Sequence, residues 1–211
     1  MKTILHVSCS PRGQAAESYR LSQAIISFLL QREPGAIVVE RVIGDGTIAH
    51  IDAAYAISQA SAVDVSREGS MVRSEELIRE LEAADFVVIG TPMHNLTVPS
   101  ALKAWIDHVV RARRTFTIGA AGKVGTLRDR PVFIAIASGG RFSGERARQP
   151  DFLTPYLKAI LATIGLHDLT FFSVQGTGAG PDATAETRIA THGALEQHFS
   201  SLYAPLQLGI G

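Results

Sequence analysis

Short unbroken apolar runs alternate along this chain with longer stretches in which apolar residues recur every three or four positions. The first run, residues 3–8 (TILHVS), predicts a buried strand, and SPRGQAAES after it predicts a turn-rich loop. Leu21, Ala24, Ile25, Phe28 and Leu29 then share one helical face, in a helix that starts near Ser18 and stops at Glu33-Pro34-Gly35. Residues 37–42 give a second strand. Leu77, Ile78 and Leu81 mark one side of a helix over 75–83, and Asp85 leads into a third strand, FVVIG. Pro99 suits the first turn of the next helix, where a missing N–H costs little, and Leu102, Trp105, Ile106 and Val109 form its buried stripe. A fourth strand at 131–137 (PVFIAIA), a helix at 152–164, a fifth strand at 169–174 and a final helix at 183–202 complete the pattern. Residues 44–73 mix Gly, Ala, Ser and Asp with Ile51, Tyr55 and Ile57, which reads as a packed insertion rather than a tether.

Strands alternating with helices, and apolar on both faces, predict an α/β fold: a doubly wound parallel sheet of five strands with helices on both faces, spanning residues 1–211 as one domain. In such sheets, ligands collect beyond the carboxyl ends of the strands. Three loops rich in polar residues and glycine fall at that edge: SPRGQAAES after the first strand, TPMHNL after the third and SGGRFSGE after the fourth.

Composition narrows the chemistry. Twenty basic and twenty acidic residues cancel, so no global field draws the chain to nucleic acid or to an anionic membrane, and neither partner is expected. Cys9 is the single cysteine, which leaves no disulfide framework and no cysteine-rich zinc site; no metal is expected, and a reducing, cytoplasmic location is. No window approaches the roughly 20 apolar residues of a membrane-spanning helix, and the N-terminus lacks a signal-peptide core.

The first loop opens a helix whose free N–H groups and positive dipole end favour an anion, with Ser10 and Ser18 as hydroxyl donors. The alternative for Ser18 is a simple helix cap, and for Arg12 a solvated surface charge. The loop lacks the Gly-Lys-Ser/Thr ending of a Walker motif and the glycine spacing of a dinucleotide fingerprint. A small cysteine-dependent phosphatase would need an arginine six residues after Cys9, where Ala15 stands, so Cys9 reads as a buried core side chain. In the second loop, Pro92 and Pro99 restrict the backbone, while Met93, His94, Asn95 and Leu96 offer a mixed apolar and amide surface suited to a flat ring. Taken singly, His94 is a surface histidine, Met93 a core filler and Gly139-Gly140 a turn. Together, a phosphate pocket on one loop and ring-sized walls on two others describe a flavin mononucleotide (FMN) site.

These residues resemble the FMN-dependent NADH-azoreductases, also described as NADH:quinone oxidoreductases, of flavodoxin-like fold. The resemblance covers nearly the whole chain and rests on SPRG followed by Ser18, on TPMHNLTVPSALKAWIDHVVRARRTF, on SGGRFSGE and on DFLTPYLKAILATIGL. It implies the strand order 2-1-3-4-5. It also implies that Ser10, Ala16, Glu17 and Ser18 hold the FMN phosphate, that Met93, His94, Asn95 and Leu96 flank the isoalloxazine, and that Ser138, Gly139, Gly140 and Arg141 border its other edge. A homodimer is implied, with each flavin near the subunit interface. The chain departs from the family pattern where His94 and Leu96 replace the usual tyrosine and phenylalanine, where Ala16 replaces a frequent hydroxyl, where Glu17 adds a carboxylate, and in residues 117–125, which lack the lid tyrosine.

The implied activity runs in two half-reactions, from NADH or NADPH to bound FMN and then to a quinone or azo acceptor. The cofactor carries the chemistry, and the expected protein contributions are backbone donors at Asn95, Gly139 and Gly140 and a proton from His94. Two other readings fit the same fold: an FMN electron carrier, against which the balanced charge argues, and a flavin-free binding or regulatory protein.

Overall fold

Five of the apolar runs pair as parallel strands. The computed structural model describes residues 1–60, 71–120 and 122–201. Strands β1 (Thr3–Ser8), β2 (Ile37–Val42), β3 (Phe86–Pro92), β6 (Val132–Ser138) and β7 (Leu169–Gln175) lie in the order β2-β1-β3-β6-β7, the expected 2-1-3-4-5 once a separate hairpin, β4 (Phe116–Gly119) and β5 (Gly122–Gly125), is set aside. The helices are α1 (Glu17–Arg32), α2 (Ala53–Ala60), α3 (Met71–Ala83), α4 (Ser100–Val109), α5 (Leu153–Thr163) and α6 (Pro181–Ser201).

Period-2 alternation divides the strand side chains between two cores. Leu5, Val7, Val87, Ile89 and Ile134 face Leu77, Leu81, Trp105 and Leu157 of α3, α4 and α5. Ile4, Val88, Phe133 and Phe172 face Ile25, Leu29, Leu195 and Phe199 of α1 and α6. The central strands are thus covered on both sides, as their unbroken apolar runs predict, whereas β2 is an edge strand with Ile37, Val38 and Val42 exposed. Gly90 lets α1 approach β3 closely: a Cβ there would lie 3.0 Å from the Ser18 carbonyl oxygen and 2.9 Å from Ser22 Oγ.

Several elements differ from the sequence expectation, each for a tertiary reason. β3 runs on through Thr91 and Pro92, which pair with Ile136 and Ala137, so the corner begins at Met93. Among the described residues, helix α3 already runs from Met71, ahead of the expected 75, and its first turns are anchored where Ser74 donates to the His108 carbonyl at 2.6 Å and Glu75 meets Arg111 at 2.6 Å. Helix α6 starts at Pro181, a residue suited to a first helical turn; Leu202, placed at its end from sequence, lies outside the described residues. Pro99 precedes α4 as its N-cap rather than entering it. Helix α2 was not expected; Asp52 starts it by accepting from the Tyr55 N–H at 2.7 Å. Of the three apolar residues that suggested a packed insertion, only Tyr55 is buried, while Ile51 and Ile57 are exposed. Residues 61–70 of that insertion lie outside the described residues.

A buried ion cluster ties α3 to the segment after α4. The Glu75 carboxylate accepts from Arg111, which is 3% exposed, and from Arg114, which also grips Glu82. Burial pushes the Glu75 carboxyl up, but the hydrogen bonds from Arg114 and Arg111 outweigh it and hold the group below its ordinary value of 4.5. A depressed carboxyl pKa contributes stability that is present above the unfolded value and lost as pH falls through the folded one. Glu75→Gln is therefore expected to cost about 3 kcal/mol near neutrality and to flatten the acid limb of stability against pH. Urea denaturation of both proteins across the acid range checks this, and parallel curves would contradict it.

Candidate functional site

Helix α1 starts without a conventional cap. Its N-cap residue is Ala16, which has no side-chain oxygen, and Ser18 is the second helical residue rather than the cap. The N–H groups of Glu17, Ser18 and Tyr19 have no hydrogen-bond partner among the described residues; the first N–H engaged is that of Arg20, to the Ala16 carbonyl at 3.0 Å. Ser18 Oγ is also buried and without a partner, in a residue 1% exposed. A buried hydroxyl unsatisfied beside three free N–H groups is a set of donors with the chemistry to take an anion. The capping reading of Ser18 is thereby overturned.

Neighbouring groups hold this arrangement rigid. Ser10, 4% exposed, accepts at Oγ from the Arg12 N–H at 3.2 Å, which leaves its own hydroxyl proton free to donate. Beneath α1, Ser22 Oγ donates to the Tyr19 carbonyl at 2.8 Å, so the bond of 2.8 Å between Ser22 Oγ and His6 Nε2 is donated by the histidine. Burial lowers the His6 pKa, against the pull of Glu40, and keeps the ring neutral in that thread. The Ser10 backbone is fixed from the far side by Gly44, where a Cβ would fall 2.2 Å from the Ser10 carbonyl oxygen.

The second loop turns sharply. His94 and Thr97 exchange N–H to carbonyl bonds of 3.0 Å, and the residues between them, Asn95 (φ 46°) and Leu96 (φ 71°), are both left-handed, which makes a type I′ turn. Asparagine tolerates that region; Leu96 sits there at a cost of about 1–2 kcal/mol. Met93 beneath the turn is buried, its sulfur contacting Ser138 Oγ at 3.8 Å and Gln149 Nε2 at 3.1 Å. His94 is exposed, and its ring makes no hydrogen bond among the described residues. The third loop is held by Gln175, whose Oε1 accepts from the Phe142 and Ser143 N–H groups, and by the Gly178 N–H, which donates to the Gly139 carbonyl at 3.1 Å. The Asn95, Gly139 and Gly140 N–H groups have no partner among the described residues.

Ser10, Ala16, Glu17, Ser18, Met93, His94 and Gly139 line one open cleft of about 230 Å³. Asn95, Leu96, Ser138, Gly140 and Arg141 are not on its wall, although Ser138 supports Met93 from behind. Beyond Pro11 and His94 lies a second hollow of about 280 Å³, bordered by Gly44, His50, Pro99 and Ala101. Sequence reasoning missed Ala137 and Thr177 in the first cleft and Gly44 and Gln149 behind it, and it read Pro92, which is on the wall, only as a backbone restraint. Thr177 and Gly44 each follow the carboxyl end of a strand, which was the available signal. Gln149 comes from within a loop and carried none.

Cys9 is fully buried, and burial pushes its thiol far above the ordinary range. The folded protein should therefore leave Cys9 unlabelled by iodoacetamide, with labelling appearing only on unfolding. Alkylation of the native protein at the rate of a free thiol would contradict this placement.

Comparison with known proteins bears on the family and the fold. A family model described as flavodoxin-like fold matches residues 2–199. The chain is 44% identical over 208 residues, 98% of each chain, to an FMN-dependent NADH:quinone oxidoreductase of Pseudomonas fluorescens. It is 43% identical over 197 residues to another of Burkholderia lata, covering 93% of this chain and 94% of that one. Among solved structures, an FMN-dependent NADH-azoreductase from Bacillus anthracis in complex with FMN superposes with a TM-score of 0.77 at 24% identity, over 95% of this chain and 99% of that one. That likeness speaks to the fold.

Proposed function

We propose that this chain, which belongs to the flavodoxin-like family of FMN-dependent NADH:quinone oxidoreductases, passes electrons from NADH by way of FMN to a quinone or azo acceptor. The observation that carries the reading is the buried, unpartnered Ser18 hydroxyl beside the free first turn of α1. These donors fit a phosphate ester, and the cleft that continues from them to Met93, His94 and Gly139 fits a flat ring system.

FMN, when bound, would supply the redox chemistry that links the nicotinamide donor to the acceptor. The chain itself binds, orients and excludes. Ser10, Ser18 and the α1 N–H groups hold the phosphate; Ala16, without a polar side chain, leaves that wall to the backbone. The type I′ turn and Met93 form one wall for the ring, and Gly139 borders the other side with an open Cα. Within this reading, the free N–H group of Gly139, on the cleft wall, would meet developing negative charge at the ring edge, and the free N–H groups of Asn95 and Gly140, with Arg141, stand in the same loops just off that wall. Leu96 supplies apolar packing in place of an aromatic ring. His94, exposed where the two hollows meet, is placed to give a proton to a reduced acceptor.

The same reading includes a homodimer and a cytoplasmic location. The dimer is supported by apolar side chains left in solvent on α2 and the hairpin, Ile57, Ile118 and Val124; the location is supported by the lone buried Cys9. No helix among the described residues is long and apolar enough to cross a membrane. Anaerobic mixing of the flavin-loaded protein with NADH tests the function. Rapid loss of visible flavin absorbance, recovered on adding a quinone, is expected. Flavin that stays oxidised under excess NADH would overturn the reading.

A further inference from the structure

We infer that Arg188, on α6 and outside every loop that the sequence singles out, is a positioning residue for the cofactor: by holding the Glu17 carboxylate it lets an acidic residue stand at the phosphate-binding helix end without repelling the phosphate. The inference rests on the FMN reading above. Glu17 is the first residue of α1 and borders the cleft beside Ser10, Arg12 and Ser18. A carboxylate there is favourable to the helix dipole, but so is a phosphate, and two anions at one positive end compete. The structure resolves the conflict by geometry. Arg188 Nε donates to Glu17 Oε2 at 2.8 Å and its Nη2 to Oε1, a two-pronged grip, while Arg20 Nε stands 3.9 Å away. Such a fork fixes the direction of the carboxylate as well as balancing its charge.

The grip also leaves cations where they are needed. Hydrogen bonding from Arg188 holds the Glu17 carboxyl below its ordinary value, so Glu17 is an anion throughout the neutral range and is balanced by its partner rather than by a proton. Arg12, exposed at the rim of the same cleft, feels the Glu17 charge but makes no side-chain hydrogen bond or close ion pair among the described residues, and so stays available to a ligand. Without Arg188, the Glu17 charge would be released beside the phosphate donors, offset only by the more distant Arg20 and by Arg12, which would then be drawn from the ligand.

Fluorescence-quenching titrations of the apo-protein with FMN and with riboflavin, which lacks the phosphate, test this directly. Arg188→Met should weaken FMN binding about 10-fold at low salt and less at high salt, while riboflavin binding changes less than about twofold. In the same titration, Glu17→Gln combined with Arg188→Met should bring FMN affinity back to within about threefold of wild type, because the unbalanced charge is gone. Equal losses for FMN and riboflavin, or no restoration in the double variant, would reduce Arg188 to a structural residue and overturn the inference. Unchanged FMN binding in Arg188→Met would overturn it as well. Arg188→Gln replaces the methionine variant if circular dichroism shows that protein unfolded. A wild-type protein that binds no FMN would sink the functional reading itself, and this inference with it.

Discussion

Replacing Ser18 by aspartate is expected to abolish FMN retention, lowering affinity by more than about 100-fold, because a second anion would occupy the place where α1 presents its free donors. Ser18→Ala makes the sharper comparison. Loss of one hydrogen bond to a charged phosphate should weaken FMN binding about 10-fold to 100-fold, the equivalent of about 1.5–3 kcal/mol. The same change removes a buried hydroxyl that has no partner in the protein, so the apo-protein should become more stable by about 1 kcal/mol. Opposite signs for stability and affinity are the signature of a group kept for its ligand. Thermal melts of the apo-proteins, run beside FMN titrations, read both. Unchanged FMN affinity in both variants would remove Ser18 from the site.

Gly44→Ala is expected to damage the site from behind. A Cβ at this position would fall 2.2 Å from the Ser10 carbonyl oxygen and 2.3 Å from its carbonyl carbon, and both are backbone atoms that cannot rotate away. The Ser10 loop must move, at a cost of about 2–3 kcal/mol, and with it the hydroxyl that faces the phosphate. Stability and FMN affinity should therefore fall together, unlike the outcome for Ser18→Ala. Gly35→Ala is the control: no atom lies within 4 Å of its Cβ position, so stability should change by less than about 0.5 kcal/mol. Equal effects at the two glycines would show that the close approach at Gly44 is not what holds Ser10.

Much of this was legible in the sequence, and the part that was not shares a cause. The five strands of the sheet could be read because each is built around apolar, mostly β-branched or aromatic residues, even the edge strand β2 with its Glu40 and Arg41, and the stripes of α1, α3 and α4 because Leu21, Ile25, Leu77, Leu81, Leu102 and Trp105 repeat at helical spacing. The hairpin β4–β5 escaped because its strands are short and broken by Gly119, Gly122 and Gly125, and because Phe116 is buried while Ile118 and Val124 stay in solvent, so no buried face repeats to impose a period. Helix α2 escaped because its fixed points are the Asp52 cap and the Tyr55 hydroxyl, which donates to the distant Asp107 carbonyl at 3.1 Å.

At the site, the hydroxyls and the loop ends were visible as residue types. What the sequence did not resolve was direction. Nothing local tells that the Ser18 hydroxyl is left without a partner rather than capping, or that the Glu17 carboxylate turns to a residue 171 positions away. Similarly, the contact of Gly44 with Ser10 joins the ends of two strands that are neighbours only in the sheet.

The central claim is that the first turn of α1 is the phosphate seat of an FMN cofactor. A crystal of this protein grown with FMN tests it most directly. The account predicts phosphate oxygens within about 3 Å of Ser18 Oγ and of the first-turn N–H groups of α1, with the flavin ring beside Met93 and Gly139. A phosphate bound elsewhere, with the Ser18 hydroxyl turned to a protein partner, would contradict it.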